Sequence, residues 1–281
     1  MHGDSIHGGQ GFEMYYNTCR STERFPALHV HDFYEMYLFL RGEATYIIEE
    51  YAHVMTPGDL MIVPPGIFHR AAFDDLTLPY ERLLVYVGKE TLLRMQYAGF
   101  SVAEEIGVLT SAGLYCRQLS SEETEEWLRF YHAAVDPARR PSQAFATLCQ
   151  LGLLLTRLCD SHQEEDAMLP STGAIGPVIR YINDHYREDL TLEHLSQQFY
   201  MSATHLAHLF RRYARLSIHQ YITAKRMMLA RSLLTQGESP QEVSAHCGYQ
   251  DYSSFYRAFV KSEGVTPRAY SARIKAPSDQ K

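Results

Sequence analysis

The spacing of apolar and polar positions changes character along the chain. From residue 11 to about 88, short apolar and aromatic runs alternate with turn signals. Tyr34–Leu40, Thr45–Ile48 and Leu60–Val63 are the runs; Arg41-Gly42-Glu43, Pro57-Gly58-Asp59 and Pro64-Pro65-Gly66 are the punctuation. Strands at this spacing predict a small β-sandwich or barrel. From about Gly88 the punctuation thins and the period lengthens. Ser120 followed by Glu123 is a capping-box pattern ahead of Trp127, Phe130, Tyr131 and Ala134, and predicts a helix. A second helix is predicted from Ser142 to about His162, where Phe145, Leu148, Gly152, Leu155 and Cys159 recur every three or four residues. Residues 160–177, with a Glu-Glu-Asp run, two prolines and two glycines, read as an interdomain linker.

Beyond the linker nearly everything is helical, and the segment repeats itself. Leu195-Ser196 returns as Val243-Ser244, Phe210–Tyr213 as Phe259–Ser262, and Ser217–Tyr221 as Thr266–Tyr270, at an offset of 48 and then 49 residues. In the first copy Thr191 caps a helix over 192–199 and Ser202 caps a second, with Leu206, Leu209, Phe210 and Tyr213 facing inward. Only Tyr200 and Met201 intervene, which makes a helix-turn-helix. The outward face of its second helix holds Thr204, His205, His208, Arg211 and Arg212. In the second copy the helices run over 240–247 and 251–262, the latter packed through Phe255, Ala258 and Phe259. Its exposed side shows Tyr252, Ser253, Tyr256, Arg257 and Lys261. Between the copies Ile218–Gln236 reads as one long helix, with Lys225, Arg226 and Arg231 away from its apolar side. A rigid connector of that kind sets two recognition helices about 34 Å apart, on successive major grooves. A basic helical bundle for binding another protein is the rival reading of composition alone; the duplication weighs against it.

Charge sharpens the division. The 281 residues carry a formal charge of -7, but residues 1–173 have a net of -12 and residues 174–281 a net of +5. Only the second half has the footprint that neutralising phosphates requires. The longest apolar stretches, such as Leu151–Leu155, are far short of the ~18 residues that cross a bilayer, and Met1–Met14 lacks a basic-then-apolar signal pattern. The expectation is a cytoplasmic protein with no membrane partner. The five cysteines form no CxxC pair and read as reduced, mostly buried thiols.

The segment from Val243 to Tyr270 reads Val-Ser-x-x-Cys-Gly-Tyr-x-Asp-x-Ser-x-Phe-x-Arg-x-Phe-x-Lys-x-x-Gly-x-Thr-Pro-x-x-Tyr. It resembles the double helix-turn-helix domain of the AraC/XylS transcription regulators, over about 100 residues. Where many members have Ala-x-x-x-Gly-Phe in the second unit, this chain has Ser244, Cys247 and Tyr249, departures that are conservative for packing. The resemblance implies that both recognition helices contact double-stranded promoter DNA. Arg257 offers a bidentate fork to guanine and His208 one donor or acceptor, or else a solvated surface histidine. Tyr252 and Tyr256 offer ring contact to a thymine methyl, while Arg211, Arg212, Lys225 and Lys261 suit phosphates. It further implies a homodimer, a partnership with RNA polymerase, and activation as the more common role. The apolar stripe of the 142–162 helix then has two uses, covering the barrel or pairing with its twin.

In the acidic half, His29-Val30-His31, Glu35 and Gly42, then Gly58, Pro64, Gly66 and His69, reproduce the spacing of the two cupin motifs, with Phe73 where Asn is usual. The chain therefore resembles a cupin from about Phe12 to Val87. Strand alternation would place His29 and His31 on one face, and a downstream strand would bring His69 against them and Glu35. That set suits a divalent Zn, Ni, Mn or Fe ion, or a polar lining for a sugar, organic acid or aromatic effector. Tyr37, with Tyr15, Tyr46 and Tyr86, supplies stacking faces. Taken alone, the motif suggests a metal-dependent dioxygenase or isomerase; fusion to a DNA-binding half argues instead for a sensor with no enzyme activity. The expected architecture is a multidomain α+β protein. It comprises a cupin-type β-barrel sensor (1–100), a helical dimerisation segment (101–165), a linker (166–177) and an all-α tandem helix-turn-helix (178–281).

Overall fold

The computed structural model describes residues 5–6, 12–19, 26–73, 75, 79–135, 141–160 and 173–275. The chain divides into two compact units, Met1–Thr172 and Gly173–Lys281.

Two antiparallel sheets build the first unit. Strands β1 (Ser5–Ile6), β2 (Phe12–Cys19), β3 (Phe33–Arg41), β6 (Asp59–Val63), β8 (Tyr80–Gly88) and β11 (Cys116–Gln118) form one, in the order β1-β2-β8-β3-β6-β11. Strands β4 (Thr45–Ile48), β5 (Tyr51–Val54) and β7 (His69–Ala72) form the other, in the order β5-β4-β7. A short hairpin, β9 (Gln96–Tyr97) and β10 (Phe100–Ser101), follows β8. Both faces of the larger sheet are buried, so its central strands read as continuous apolar runs rather than alternating ones. Leu83, Val85 and Val87 of β8 join Met36 and Leu38 of β3 in an outer core, while Leu84 joins Tyr37, Phe39, Tyr46, Met61 and Val63 in an inner core between the sheets.

The outer core is closed by helices α1 (Lys89–Arg94), α2 (Val102–Ser111), α3 (Ser121–Ala134) and α4 (Pro141–Asp160). The predicted capping box is present: Ser120 Oγ accepts from the Glu123 N–H and the Glu123 carboxylate accepts from the Ser120 N–H at 2.8 Å. Trp127, Phe130, Tyr131 and Ala134 are buried behind it. On α4 the buried line is Leu151, Leu154, Leu155 and Leu158, packed in the outer core. Phe145, which sequence periodicity placed on the apolar stripe, is exposed instead, as are Leu153 and Cys149. Cysteines 116 and 247 are buried as expected; Cys149 is not.

The second unit opens with a 3-10 turn (Gly173–Ile175) and α5 (Gly176–His185), with Pro177 in the helix's first turn, where a missing N–H costs nothing. The predicted linker therefore gives way to structure at Gly173, and its residues 166–172 lie outside the described residues. Helices α6 (Leu192–Gln198), α7 (Ala203–Ala214), α8 (Ile218–Gln236), α9 (Pro240–His246), α10 (Tyr252–Glu263) and α11 (Pro267–Lys275) follow. Thr191, Ser202, Ser217, Ser239 and Asp251 cap α6 to α10 in turn, each accepting from the N–H three residues on. The duplication extends to detail. Phe210 meets Tyr221 at 5.5 Å and 83°, and 49 residues later Phe259 meets Tyr270 at 5.5 Å and 85°. Among the described residues no helix is long and apolar enough to cross a membrane.

Candidate nucleic-acid interface and ligand site

Each helix-turn-helix buries one side of its second helix and leaves the other open. On α7, Leu206 and Phe210 are fully buried, Leu209 and Tyr213 half-buried, and Thr204, His205, His208, Arg211 and Arg212 all exposed. On α10, Phe255 and Phe259 are fully buried and Tyr252, Ser253, Tyr256, Arg257 and Lys261 exposed. Among the described residues, Arg211, Arg212, Arg257 and Lys261 have no carboxylate partner; Arg257 Nη2 makes only a 3.3 Å bond to Ser254 Oγ one turn away. Cations left uncommitted on two equivalent helix faces can neutralise phosphates or read base edges.

The connector helix differs from expectation. Arg226 is half-buried, and its Nε and Nη2 donate to the carbonyls of Tyr186 and Glu188, each at 2.7 Å, tying α8 to the end of α5. Arg231 pairs with Glu263 at 2.7 Å, tying α8 to α10. Lys225 is half-buried, its ammonium 6.0 Å from the Tyr221 ring centre. Periodicity alone placed all three on an open face; neighbouring elements cover it.

In the first unit, the cupin residues converge at one end of the barrel, though not from one strand. His29 forms an isolated bridge to His69, with both backbone N–H···O bonds made, and β3 begins only at Phe33, so His31 lies outside it. His31 Nε2 and His69 Nε2 lie 3.1 and 3.5 Å from Glu35 Oε2, and Tyr46 donates to Glu35 Oε1 at 3.0 Å. The His29 imidazole packs on that of His69 at 4.3 Å. Burial pushes the Glu35 carboxyl up, but bonds from His31 and then His69 outweigh it and hold the group well below the usual carboxylate range. Burial, and then the neighbouring His69, push His29 down to about 4.

The ring nitrogens test whether this set suits a metal. His31 Nδ1 lies 2.9 Å from the Phe33 carbonyl, and His69 Nδ1 lies 2.9 Å from the Ile67 carbonyl. A carbonyl only accepts, so both Nδ1 atoms carry the proton, and each ring is thereby oriented with its Nε2 toward the Glu35 carboxylate. Rings oriented in this way by backbone acceptors are what a metal site needs, an ion at Nε2 taking the place of a proton there. His69 Nε2 is sealed from solvent and faces the Glu35 carboxylate at 3.5 Å, a long contact. One ligand atom each from His29, Glu35 and His69 lies within 4.8 Å of the others. The donor set fits a first-row divalent ion. A second group, His53, Asp59 and Cys116, is similarly close, but Asp59 Oδ2 already accepts from His53, from the Thr56 N–H and from Thr56 Oγ1, which locks the turn into β6.

Two family models match the chain. An AraC-like ligand binding domain covers residues 13–149, and a helix-turn-helix domain covers residues 195–273. The chain belongs to the AraC family of transcription regulators. Its first unit is the ligand-binding domain of this regulator and its second the DNA-binding domain. The AraC-family chain is 26% identical to YdiP, an uncharacterised HTH-type transcriptional regulator of Escherichia coli, over 88% of this chain and 81% of that one. It is 21% identical to the HTH-type transcriptional activator RhaR of Mannheimia succiniciproducens, over 89% and 88%. A solved C-terminal domain of the response regulator AraT from Geobacillus stearothermophilus shares 25% identity over 39% of this chain and 92% of that one, with a TM-score of 0.36.

Within this regulator's ligand-binding domain, the predicted stacking residues all reach the inner core. Tyr37 and Tyr46 meet edge-on at 4.8 Å, and Tyr15 and Tyr86 at 5.2 Å. Sequence reasoning missed Arg82. Its guanidinium lies 5.3 Å from the ring centres of both Tyr37 and Tyr80. The sequence offered only a charged pair inside the run Tyr80-Glu81-Arg82-Leu83-Leu84-Val85-Tyr86; which of the two faces inward is set by register.

Proposed function

We propose that the protein is a homodimeric activator that binds a small molecule in the barrel of its first unit and thereby changes how its second unit engages promoter DNA and RNA polymerase. The reading rests above all on the duplicated helix pair with uncommitted cations on both outward faces. Arg257 reads a base, with Thr204, His205, His208, Tyr252, Ser253 and Tyr256 beside it, while Arg211, Arg212 and Lys261 hold phosphates. Lys225, half-buried over Tyr221, is demoted to a positioning role. Promoter binding places its work in the cytoplasm. The effector shifts the population of arrangements that match the half-sites, which requires different affinities for the two arrangements. Fusion to two helix-turn-helix units favours a sensor over a catalyst for the barrel.

With an operator selected in vitro, Arg257→Ala costs about 1–3 kcal/mol on that site and relaxes one base preference. Arg211→Ala weakens binding on every sequence and flattens the salt dependence by about one charge. Fluorescence anisotropy across salt and sequence measures both. If the two variants behave alike, the assignment of reader and clamp is wrong.

His29, Glu35 and His69 would hold a Zn, Ni, Mn or Fe ion, with His31 beside the same Glu35 oxygen that His69 faces. A bound ion would offer a Lewis-acidic contact to an effector oxygen. Untagged protein purified from metal-replete medium is expected to carry stoichiometric metal by elemental analysis, and His69→Ala to lose it. Metal-free wild type would reduce the cluster to a polar lining.

The two copies join through α4, whose exposed Phe145, Cys149 and Leu153 recur every fourth residue on one face.

A further inference from the structure

Arg82 is unlike the other arginines of the first unit whose partners are seen. Arg117 pairs with Glu123 at 2.7 Å, Arg157 with Glu126 at 2.6 Å and Arg41 with Glu81 at 3.8 Å, and the buried Arg70 donates from Nη1 to the Pro26 carbonyl at 3.0 Å. Arg82 points to the inner face, its register neighbours being Phe39 of β3 and Asn17 of β2. Its Nε is sealed from solvent and has no hydrogen-bond acceptor. Among the described residues no carboxylate reaches it. The carboxylates nearest along that face are taken: Tyr15 donates to Glu13 Oε2 at 2.6 Å, and Glu35 is held by His31, His69 and Tyr46.

A guanidinium cannot shed its proton, so the half-buried Arg82 keeps its charge on the inner face with no counter-ion among the described residues. Two tyrosine rings steady it by cation–π contact, which offsets only part of the lost hydration. An interior that carries such a group is incomplete without an anion. Resting on the reading of the barrel as a sensor, we infer that its effector is a carboxylate with an apolar or aromatic body, anchored by Arg82. The planar guanidinium fork matches a carboxylate's two oxygens, and one cation balances one negative charge. The tyrosines of the inner core, with Phe39, Leu84 and Met61, offer the body its surroundings. A neutral sugar would leave the charge uncompensated.

The anchor is distinct from the histidine cluster. Tyr86 stands opposite Glu35 in the β3–β8 register, and Arg82 is four residues further along β8, about 13 Å away. Anchoring at Arg82 therefore does not depend on whether the histidines hold a metal.

The test uses the full chain, with benzoate, cinnamate and octanoate each compared with its own primary amide, sodium chloride as the anion control, and L-rhamnose and L-arabinose as neutral probes. Thermal shift screens them and calorimetric titration measures affinity. At least one acid is expected to raise Tm where its amide and chloride do not. Arg82→Gln should weaken that acid at least about tenfold, with Arg82→Lys between the two. The acid-against-amide contrast in wild type stands alone should Arg82→Gln not fold. No stabilisation by any of the acids beyond chloride, equal binding of acid and amide, or an unchanged affinity in a folded Arg82→Gln overturns the inference. A neutral sugar that binds instead overturns it while leaving the sensor reading intact. An acid bound through Arg82 that leaves operator affinity unchanged upholds the anchor and removes the sensor role.

Discussion

Tyr200 and Gly248 hold the same place in the two helix-turn-helix copies and the same left-handed backbone, at φ 54° and 78°. The bonds around them repeat: Met201 N–H to the Ser196 carbonyl at 2.9 Å, and Tyr249 N–H to the Ser244 carbonyl at 3.1 Å. Their surroundings do not. Tyr200 is 97% exposed, whereas a Cβ on Gly248 would stand 1.9 Å from the Arg187 carbonyl oxygen. The first turn tolerates a side chain at a cost of about 1 kcal/mol; the second admits only hydrogen. Gly248→Ala should therefore destabilise the second unit by more than about 2 kcal/mol, and Tyr200→Gly should leave it within about 1 kcal/mol of wild type. Thermal and urea melts of both variants check this, and equal effects would show that backbone conformation, not the close carbonyl, governs the turn.

At the scale of elements, caps and turn residues made helix starts readable: Ser120, Thr191 and Ser202 stand where the sequence places them, and Ile218–Gln236 is one helix with the predicted bounds. What periodicity could not supply was which neighbour covers a face. Arg226 and Arg231 sit on the polar side of α8 by pattern, yet the Tyr186 and Glu188 carbonyls and the Glu263 carboxylate claim them. The same gap explains α4, where the stripe through Phe145 and the stripe through Leu151 are both apolar and only packing selects the second. Phe145 and Leu153, left outside, carry the proposed dimer. Phe145→Glu together with Leu153→Glu should yield a folded monomer by sedimentation with weaker operator binding; an unchanged sedimentation coefficient would move the interface elsewhere.

For the molecule as a whole, the Pro- and Gly-rich stretch between a net -12 and a net +5 segment contains the division between the two units, and the motif spacings named residues that the structure brings together, His69 against His29 and Glu35. Strands β5, β7, β8 and β11 were not legible one by one, because a strand buried on both faces, or only three or four residues long, carries no alternation. Arg82 was hidden for the same reason: its inward direction depends on register, a long-range fact. The two units keep separate cores, so calorimetry should resolve two transitions, of which Gly248→Ala shifts one and His69→Ala the other. A single transition moved by both variants would mean that the units unfold as one.

The larger sheet has a further consequence. Along β8, Leu83, Val85 and Val87 touch the helical layer that holds Trp127, Phe130 and Leu155, while Arg82, Leu84 and Tyr86 touch the barrel interior. Alternate residues of one strand thus belong to opposite rooms, although their Cα atoms are only about 3.8 Å apart along the backbone. A molecule that tugs on Arg82 tilts a plank whose other edge carries Leu83. An effector anchored at Arg82, as inferred above, would thus hold a strand whose very next residue packs against the helical layer.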